Sequence, residues 1–363
     1  MEKVNFNELL NEMLLKLSDR DQDILKKRFH LTNDLEKKAT LKAIGDFYNI
    51  TRERVRQLER DAINKLVELK KEQQFADQLN TLESELLGYL KSKGGVVRED
   101  HLLEDFVNGN YTTDKFHSNA FLFVFDKLVD GVNQVNGHED FHKSWSLKEL
   151  SLDNVSGLVQ AIVSKLDGEK KLHESKDILA VADALLSDEL KSELTSFENS
   201  GELNAYLENY LHASNKIDKN ILDKWGLVAW ETVRPKKLAD KIKLIFDKSG
   251  EPLHFRDLAQ NINTANFDHK NICAATVHNE LIANDEYVLI GRGIYAKKDW
   301  GYSAGTVGDI IERLLKEHNA PMTKDEIYNQ VLEQRKVNKS TIYLTLINKE
   351  KFEKVDGGKF MLK

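Results

Sequence analysis

The stretch "TRERVRQLERDAINKL", residues 51–66, sets Val55, Leu58, Ala62 and Leu66 at intervals of three and four among charged neighbours. At about 100° per residue these four form one narrow apolar stripe, while Glu53, Gln57 and Arg60 point away from it. Thr51 is an N-cap residue; it starts the helix and leaves Arg52, Glu53 and Arg54 in the first turn. Upstream, "TLKAIGDFYN" at 40–49 carries Leu41, Ile44 and Phe47 at the spacing of a short amphipathic helix, and Asn49 with Ile50 leaves room only for a tight turn. Two helices joined in this way are a helix-turn-helix, whose second helix enters the major groove by its N-terminal residues. Arg pairs with guanine, Gln with adenine, and Glu accepts from cytosine, so Arg52, Glu53 and Gln57 are the candidate base contacts. A charged helix face is usually no more than solvated; the order of residues around this one argues for more.

From Leu17 to Leu66 the chain reads "LSDRDQDILKKRFHLTNDLEKKATLKAIGDFYNITRERVRQLERDAINKL". This closely resembles region 4 of housekeeping-type bacterial sigma factors, the module that recognises the minus-35 promoter element. "TRERVRQLE" followed by Ala-x-x-Lys-Leu is its most specific part. The resemblance implies base contacts from Arg52, Glu53 and Gln57. It also implies phosphate contacts from Arg20, Arg28, Thr40, Leu41 through its backbone, Arg54 and Arg56. Phosphate contacts set register and salt dependence, whereas base contacts set sequence preference. Double-stranded DNA and bacterial RNA polymerase are the partners that it implies.

The chain has 363 residues, too many for one small core. No apolar run is long enough for a membrane span, and the N-terminus has neither the basic start nor the apolar block of a secretory signal. We expect a cytoplasmic, nucleoid-associated protein with no membrane partner. The lone Cys273 can form neither an internal disulfide nor a thiolate cluster and is read as a packing residue. The net charge of −7 opposes DNA binding until it is divided along the chain. Residues 1–70 hold 15 Lys and Arg against 13 Asp and Glu, residues 71–230 hold 16 against 28, and residues 231–363 hold 22 against 19. The middle is therefore an improbable DNA reader and a better match for a basic protein surface.

Beyond residue 70 the signal is internal similarity. "KIKLIFDKSGEPLHFRDLAQNI" at 241–262 matches "DIIERLLKEHNAPMTKDEIYNQV" at 309–331 in apolar spacing, with Pro252 opposite Pro321. Further on, Val277, Leu281, Gly293 and Tyr295 fall opposite Ile342, Leu346, Gly358 and Phe360. Each unit reads helix, turn, helix, helix and a hairpin, with Gly291-Arg292-Gly293 or Asp356-Gly357-Gly358 at the turn, which is the order of a winged helix. Residues 233–301 also resemble the HARE-type helix-turn-helix domain through "PLHFRDLA", "TVHNEL" and "GRGIYAKKDWGY". That family accompanies DNA-associated proteins, including the delta subunit of some bacterial RNA polymerases.

Two diverged copies are expected upstream, one with an Asn136-Gly137 hairpin before Trp145, the other without an evident wing; Trp145, Trp225 and Trp300 close successive units. The predicted division is 1–70, 71–150, 151–232, 233–301 and 302–363. The predicted fold class is mainly α: a helix-turn-helix followed by tandem winged-helix repeats with small β-hairpin wings. Within the later repeats Lys270, His278, Arg292, Lys336, Lys339 and Lys359 are weaker candidates for phosphate contact, because scattered surface lysines are common.

His138-Glu139-Asp140-Phe141-His142 formally satisfies the zinc-protease pattern, which works only on a helix, where residues four apart share one face. The preceding Asn136-Gly137 favours a hairpin, and in a strand the two His would stand about 13 Å apart. No phosphate-binding Gly loop with Lys, nucleophile elbow or nuclease-like cluster is present, so we expect no enzyme, cofactor, metal or small-molecule substrate. With only sixteen residues before Leu17, promoter melting by the usual sigma route is not expected. The expected function is recognition of minus-35-like DNA, docking on polymerase, or both. Two alternatives stand beside it: a polymerase adaptor without base readout, and a DNA-binding subunit of a restriction or repair system.

Overall fold

Capping residues punctuate the N-terminal helices. Ser18 caps α2 (Asp19–Phe29), Thr40 caps α3 (Leu41–Tyr48) and Thr51 caps α4 (Arg52–Leu69), each side-chain hydroxyl accepting a backbone N–H three residues on. His30 and Asn49 end α2 and α3 in the left-handed conformation. The three helices close around Ile24, Ile44 and Val55, with Leu41, Tyr48, Ile50 and Leu58 at the margin. Burying each of the three central side chains contributes about 1.5–3 kcal/mol. Lys65 to Asp21 at 2.7 Å and Arg28 to Glu59 at 3.3 Å tie α4 to α2. Phe47 departs from its predicted place on the inner face: it is 65% exposed, under the Lys27 ammonium at 3.7 Å. At helical spacing Tyr48, not Phe47, lies over Leu41 and Ile44.

The computed structural model describes residues 6–32, 37–108, 115–197, 202–348 and 350–363. The chain forms two units, residues 1–218 and 219–363. In the first, α1 (Phe6–Leu14) precedes the helix-turn-helix, and α5 (Gln73–Ser92) follows it. Then come β1 (Val96–Arg98), α6 (Glu99–His101) continuing as a π-helical segment to Asn108, α7 (Lys115–Lys127), β2 (Val132–Val135) and β3 (Ser144–Leu147). The next stretch holds α8 (Leu152–Glu169), α9 (Ser175–Ala184), α10 (Asp188–Thr195) and α11 (Leu203–Ala213). The chain passes into the second unit through β4 (Ile217–Lys219) and β5 (Trp225–Leu227).

The second unit runs α12 (Leu238–Ser249), β6 (Leu253–His254), α13 (Phe255–Ala265), α14 (Ala274–Ala283), β7 (Tyr287–Gly291) and β8 (Ile294–Lys297). It repeats the order as α15 (Val307–His318), β9 (Met322–Thr323), α16 (Lys324–Gln334), α17 (Lys339–Leu346), β10 (Phe352–Lys354) and β11 (Lys359–Leu362). Three antiparallel sheets share one topology, β1-β3-β2, β6-β8-β7 and β9-β11-β10: the last strand lies between the other two. Helix, strand, helix, helix and a two-stranded wing make the winged-helix arrangement. The matched apolar positions do the same work in both copies, with Val277, Leu281 and Tyr295 buried in one core and Ile342, Leu346 and Phe360 in the other. The short strands after Pro252 and Pro321 went unpredicted, since two residues carry no periodicity.

In the first unit α7 and α11 face other parts of the chain. α1 packs on α7, burying Leu9, Leu10, Met13 and Leu14, and Phe29 meets Phe123 edge-on at 4.8 Å between ring centres. Asn119 of α7 donates to the His30 carbonyl at 3.1 Å. α11 lies against β1: Asn209 donates to the Lys93 and Val96 carbonyls and Tyr210 to that of Gly94. Gly94 and Gly95 have φ of +80° and +85°, and a Cβ on Gly94 would stand 2.8 Å from Tyr206, so this approach requires glycine.

Two sequence readings need correction. Asn136-Gly137 is not a two-residue turn, because β2 and β3 pair from Val135 and Ser144 outward and residues 136–143 form a longer connection. The His-Glu-Asp-Phe-His segment lies in that connection. Its centre, Asp140, is fully buried and accepts from Ser156 at 2.5 Å, Gln160 at 2.9 Å and Lys216. The segment is thus a joint between the first repeat and α8. Cys273 is exposed rather than packed, because it occupies the position before α14, where its sulfur lies 3.0 Å from the Thr276 hydroxyl.

Candidate nucleic-acid interface

The turn between α3 and α4 is fixed by the Ile50 N–H, which donates to the Gly45 carbonyl at 2.9 Å. A Cβ on Gly45 would lie 2.7 Å from the Ile50 carbonyl oxygen, so glycine here allows the two helices to approach. Residues 51–54 are all exposed, and the Thr51 hydroxyl accepts from the Arg54 N–H at 3.1 Å. The start of α4 is therefore bare while Val55, Ala62 and Leu66 are fully buried beneath it.

The predicted contact residues divide by what already holds them. Arg52 is exposed, and its side chain has no hydrogen bond or ion pair among the described residues. Glu53 is gripped by Arg56, whose guanidinium donates to both carboxylate oxygens at 2.6–3.1 Å and holds the Glu53 carboxyl below the usual carboxylate range. Arg54 donates to the Gln57 side-chain oxygen at 3.1 Å. Each base candidate other than Arg52 is thus joined to a phosphate candidate three residues away. These pairs are exposed and exchange readily for a ligand.

Thr40 spends its hydroxyl on the Ala43 N–H at 3.1 Å, and Leu41 is the first helical residue of α3, with its backbone N–H at an uncapped position. Arg20 is exposed, its guanidinium 5.2 Å from the centre of the Tyr48 ring. Burial, together with the Asp23 carboxylate that accepts its hydrogen bond, pushes the Tyr48 hydroxyl up to about 12. Arg28 stands apart from the others: half-buried, it donates to Glu59 at 3.3 Å and to the Ala39 carbonyl at 3.4 Å, so its first duty is structural. Lys42 was missed. It is exposed in the first turn of α3 with no partner among the described residues, and its place two positions after the Thr40 cap was the available signal.

Residues 13–68 match the family described as sigma-70, region 4. Two relatives agree in placement. The RNA polymerase sigma factor SigA of Nostoc sp. is 44% identical over 57 residues, covering 16% of this chain and 14% of that protein. The RNA polymerase sigma factor SigA of Lactococcus lactis subsp. cremoris is 39% identical over 64 residues, covering 18% and 17%. The chain spans about a sixth of the length of the curated relatives it matches. The N-terminal helix-turn-helix is thus a sigma region 4-like module of DNA-binding, transcription-related type.

Among the weaker candidates, Arg292 sits exposed in the β7–β8 turn, and Lys270, Lys336, Lys339 and Lys359 are exposed. His278 is half-buried, with its ring 4.6 Å from Phe255 and 5.8 Å from Tyr295. Among the described residues no helix is long and apolar enough to cross a membrane, and no group of three or more His, Cys, Asp or Glu is placed to hold a metal.

Proposed function

We propose that this protein binds minus-35-like promoter DNA through α4, docks on bacterial RNA polymerase, and acts on transcription initiation in the cytoplasm without enzymatic activity. One observation carries the reading: the first turn of α4 is bare, and Arg52 extends from it with no partner among the described residues. Arg52, Glu53 and Gln57 take base edges; Arg20, Thr40, Leu41, Arg54 and Arg56 take phosphates, and Arg28 chiefly braces α4.

The winged-helix repeats serve as scaffold and protein surface. In favour of this, α7 and α11 are buried against other parts of their own unit, and the outward face of α14 presents Ala275, Thr276, Asn279 and Ile282 without Lys or Arg. We keep the division at 70, 150, 232 and 301 and the HARE-type assignment of 233–301 as part of this proposal. A second reading, polymerase docking without base readout, is favoured by the engagement of Glu53 and Gln57 within α4 itself.

Salt dependence separates the two. Fluorescence anisotropy with a minus-35-like duplex and a random duplex, across a series of salt concentrations, is expected to give a steep fall in affinity and a preference for the first. A flat response with polymerase pull-down retained overturns DNA binding in favour of the adaptor.

A further inference from the structure

The C-terminal repeat presents an unusual face. α17 turns Ile342 and Leu346 into the core but leaves Tyr343, Leu344 and Ile347 at 43%, 65% and 47% exposure. Beside them lies a groove of about 600 Å³ between α17 and the β10–β11 wing, floored by Phe352 and Phe360. Its edge carries Lys324 and Lys354 against a single Glu353. The Lys324 ammonium stands 4.5 Å from the centre of the Tyr343 ring, which holds that side chain as one wall.

We infer that this groove is a docking site for an acidic amphipathic helix of a partner protein. Three large apolar side chains exposed along one helix and rimmed by polar groups mark an interaction surface. A duplex offers them little, since its accessible backbone is sugar and phosphate and its apolar groups are confined to the grooves. A helix with an apolar stripe covers Tyr343 and Ile347 in the groove and can reach Leu344 beside it, as in other helix-in-groove recognition. Charge decides the polar half of that partner. With Lys324 and Lys354 facing one glutamate, carboxylates flanking the stripe gain on approach and lysines are repelled. The inference is independent of the function proposed for α4.

The test uses the full chain and two labelled synthetic helices with the same leucine stripe, one with glutamates and the other with lysines on its polar face. The glutamate helix is expected to bind at least about tenfold more tightly than the lysine helix, with the difference shrinking in high salt. Leu344→Ser with Ile347→Ser is expected to lower its affinity by about tenfold or more, with far-ultraviolet circular dichroism unchanged because both side chains are exposed. Lys354→Glu is expected to weaken the glutamate helix and spare the lysine helix. Equal binding of the two helices, or unchanged affinity in the double variant, overturns the inference. So does sedimentation equilibrium showing that the chain alone dimerises through Leu344 and Ile347, which would make a second copy the occupant. Competition by duplex DNA at the same residues would assign the face to nucleic acid instead.

Discussion

The Ile50 carbonyl oxygen stands 2.7 Å from the point that a Cβ on Gly45 would occupy. In an ordinary helix Gly→Ala stabilises by about 1 kcal/mol. Here the obstacle is backbone, which no rotamer change removes, and such overpacking costs about 1–3 kcal/mol. Gly45→Ala is therefore expected to lower the melting temperature and, by moving α4 away from α3, to weaken duplex binding further than the stability loss alone explains. Thermal melting and anisotropy on the same preparation check both; a stabilised variant with intact binding contradicts the geometry.

Arg52 and Arg54 are two residues apart and are expected to behave differently. Arg52→Ala should cost about 1–3 kcal/mol on a cognate duplex and much less on a random one. Arg54→Ala should weaken both alike and reduce the salt slope by about one. Equal losses on both duplexes for Arg52→Ala would rule out direct base readout.

Phe123 joins α7 to the helix-turn-helix through Phe29. Phe123→Ala is expected to cost about 3–5 kcal/mol, since the ring is nearly fully buried. It should also expose the link between α4 and α5, where Lys70 otherwise pairs with Asp130 at 2.6 Å and Glu83 at 3.6 Å. Limited trypsin digestion, read by mass spectrometry, should show early cleavage at Lys70 and Lys71.

Asp140 gives a pH dependence with a definite sign. Burial raises its carboxyl, but hydrogen bonds from Lys216, Ser156 and Gln160 outweigh this and hold it at about 2, below the ordinary 3.8. A carboxyl depressed in the folded state stabilises the fold above its unfolded value and loses that contribution as pH falls through the folded one. Wild type should therefore lose stability between about pH 4 and pH 2, and Asp140→Asn, less stable at neutral pH, should lose less over that window. Denaturant melts at successive pH values measure it.

The helix-turn-helix was legible because its signals are local: Thr40 and Thr51 cap, Asn49 turns, and Val55, Ala62 and Leu66 repeat at the helical period. The two C-terminal repeats were legible by comparison with each other, since Val277 and Ile342 meet the same burial requirement. What escaped depends on contacts distant in sequence. "AFLFVF" in α7 is apolar without a break, but nothing in it names α1 as the cover. Phe47 escaped for a local reason: adjacent aromatics leave open which of them faces inward, and Tyr48 has the hydroxyl that reaches Asp23. The contact set on α4 was legible as residue types, but not the pairing of Glu53 with Arg56 or of Arg54 with Gln57, which depends on rotamers.

The packing of α1 on α7 sets an order of events during synthesis. Residues 6–14 leave the ribosome about a hundred residues before residues 115–127. At ordinary elongation rates that is about 5–20 s in which Leu9, Leu10, Met13 and Leu14 lack this partner. A nascent chain halted just after α4 would present them to chaperones, and the helix-turn-helix reaches its final footing only when the first winged helix has been made.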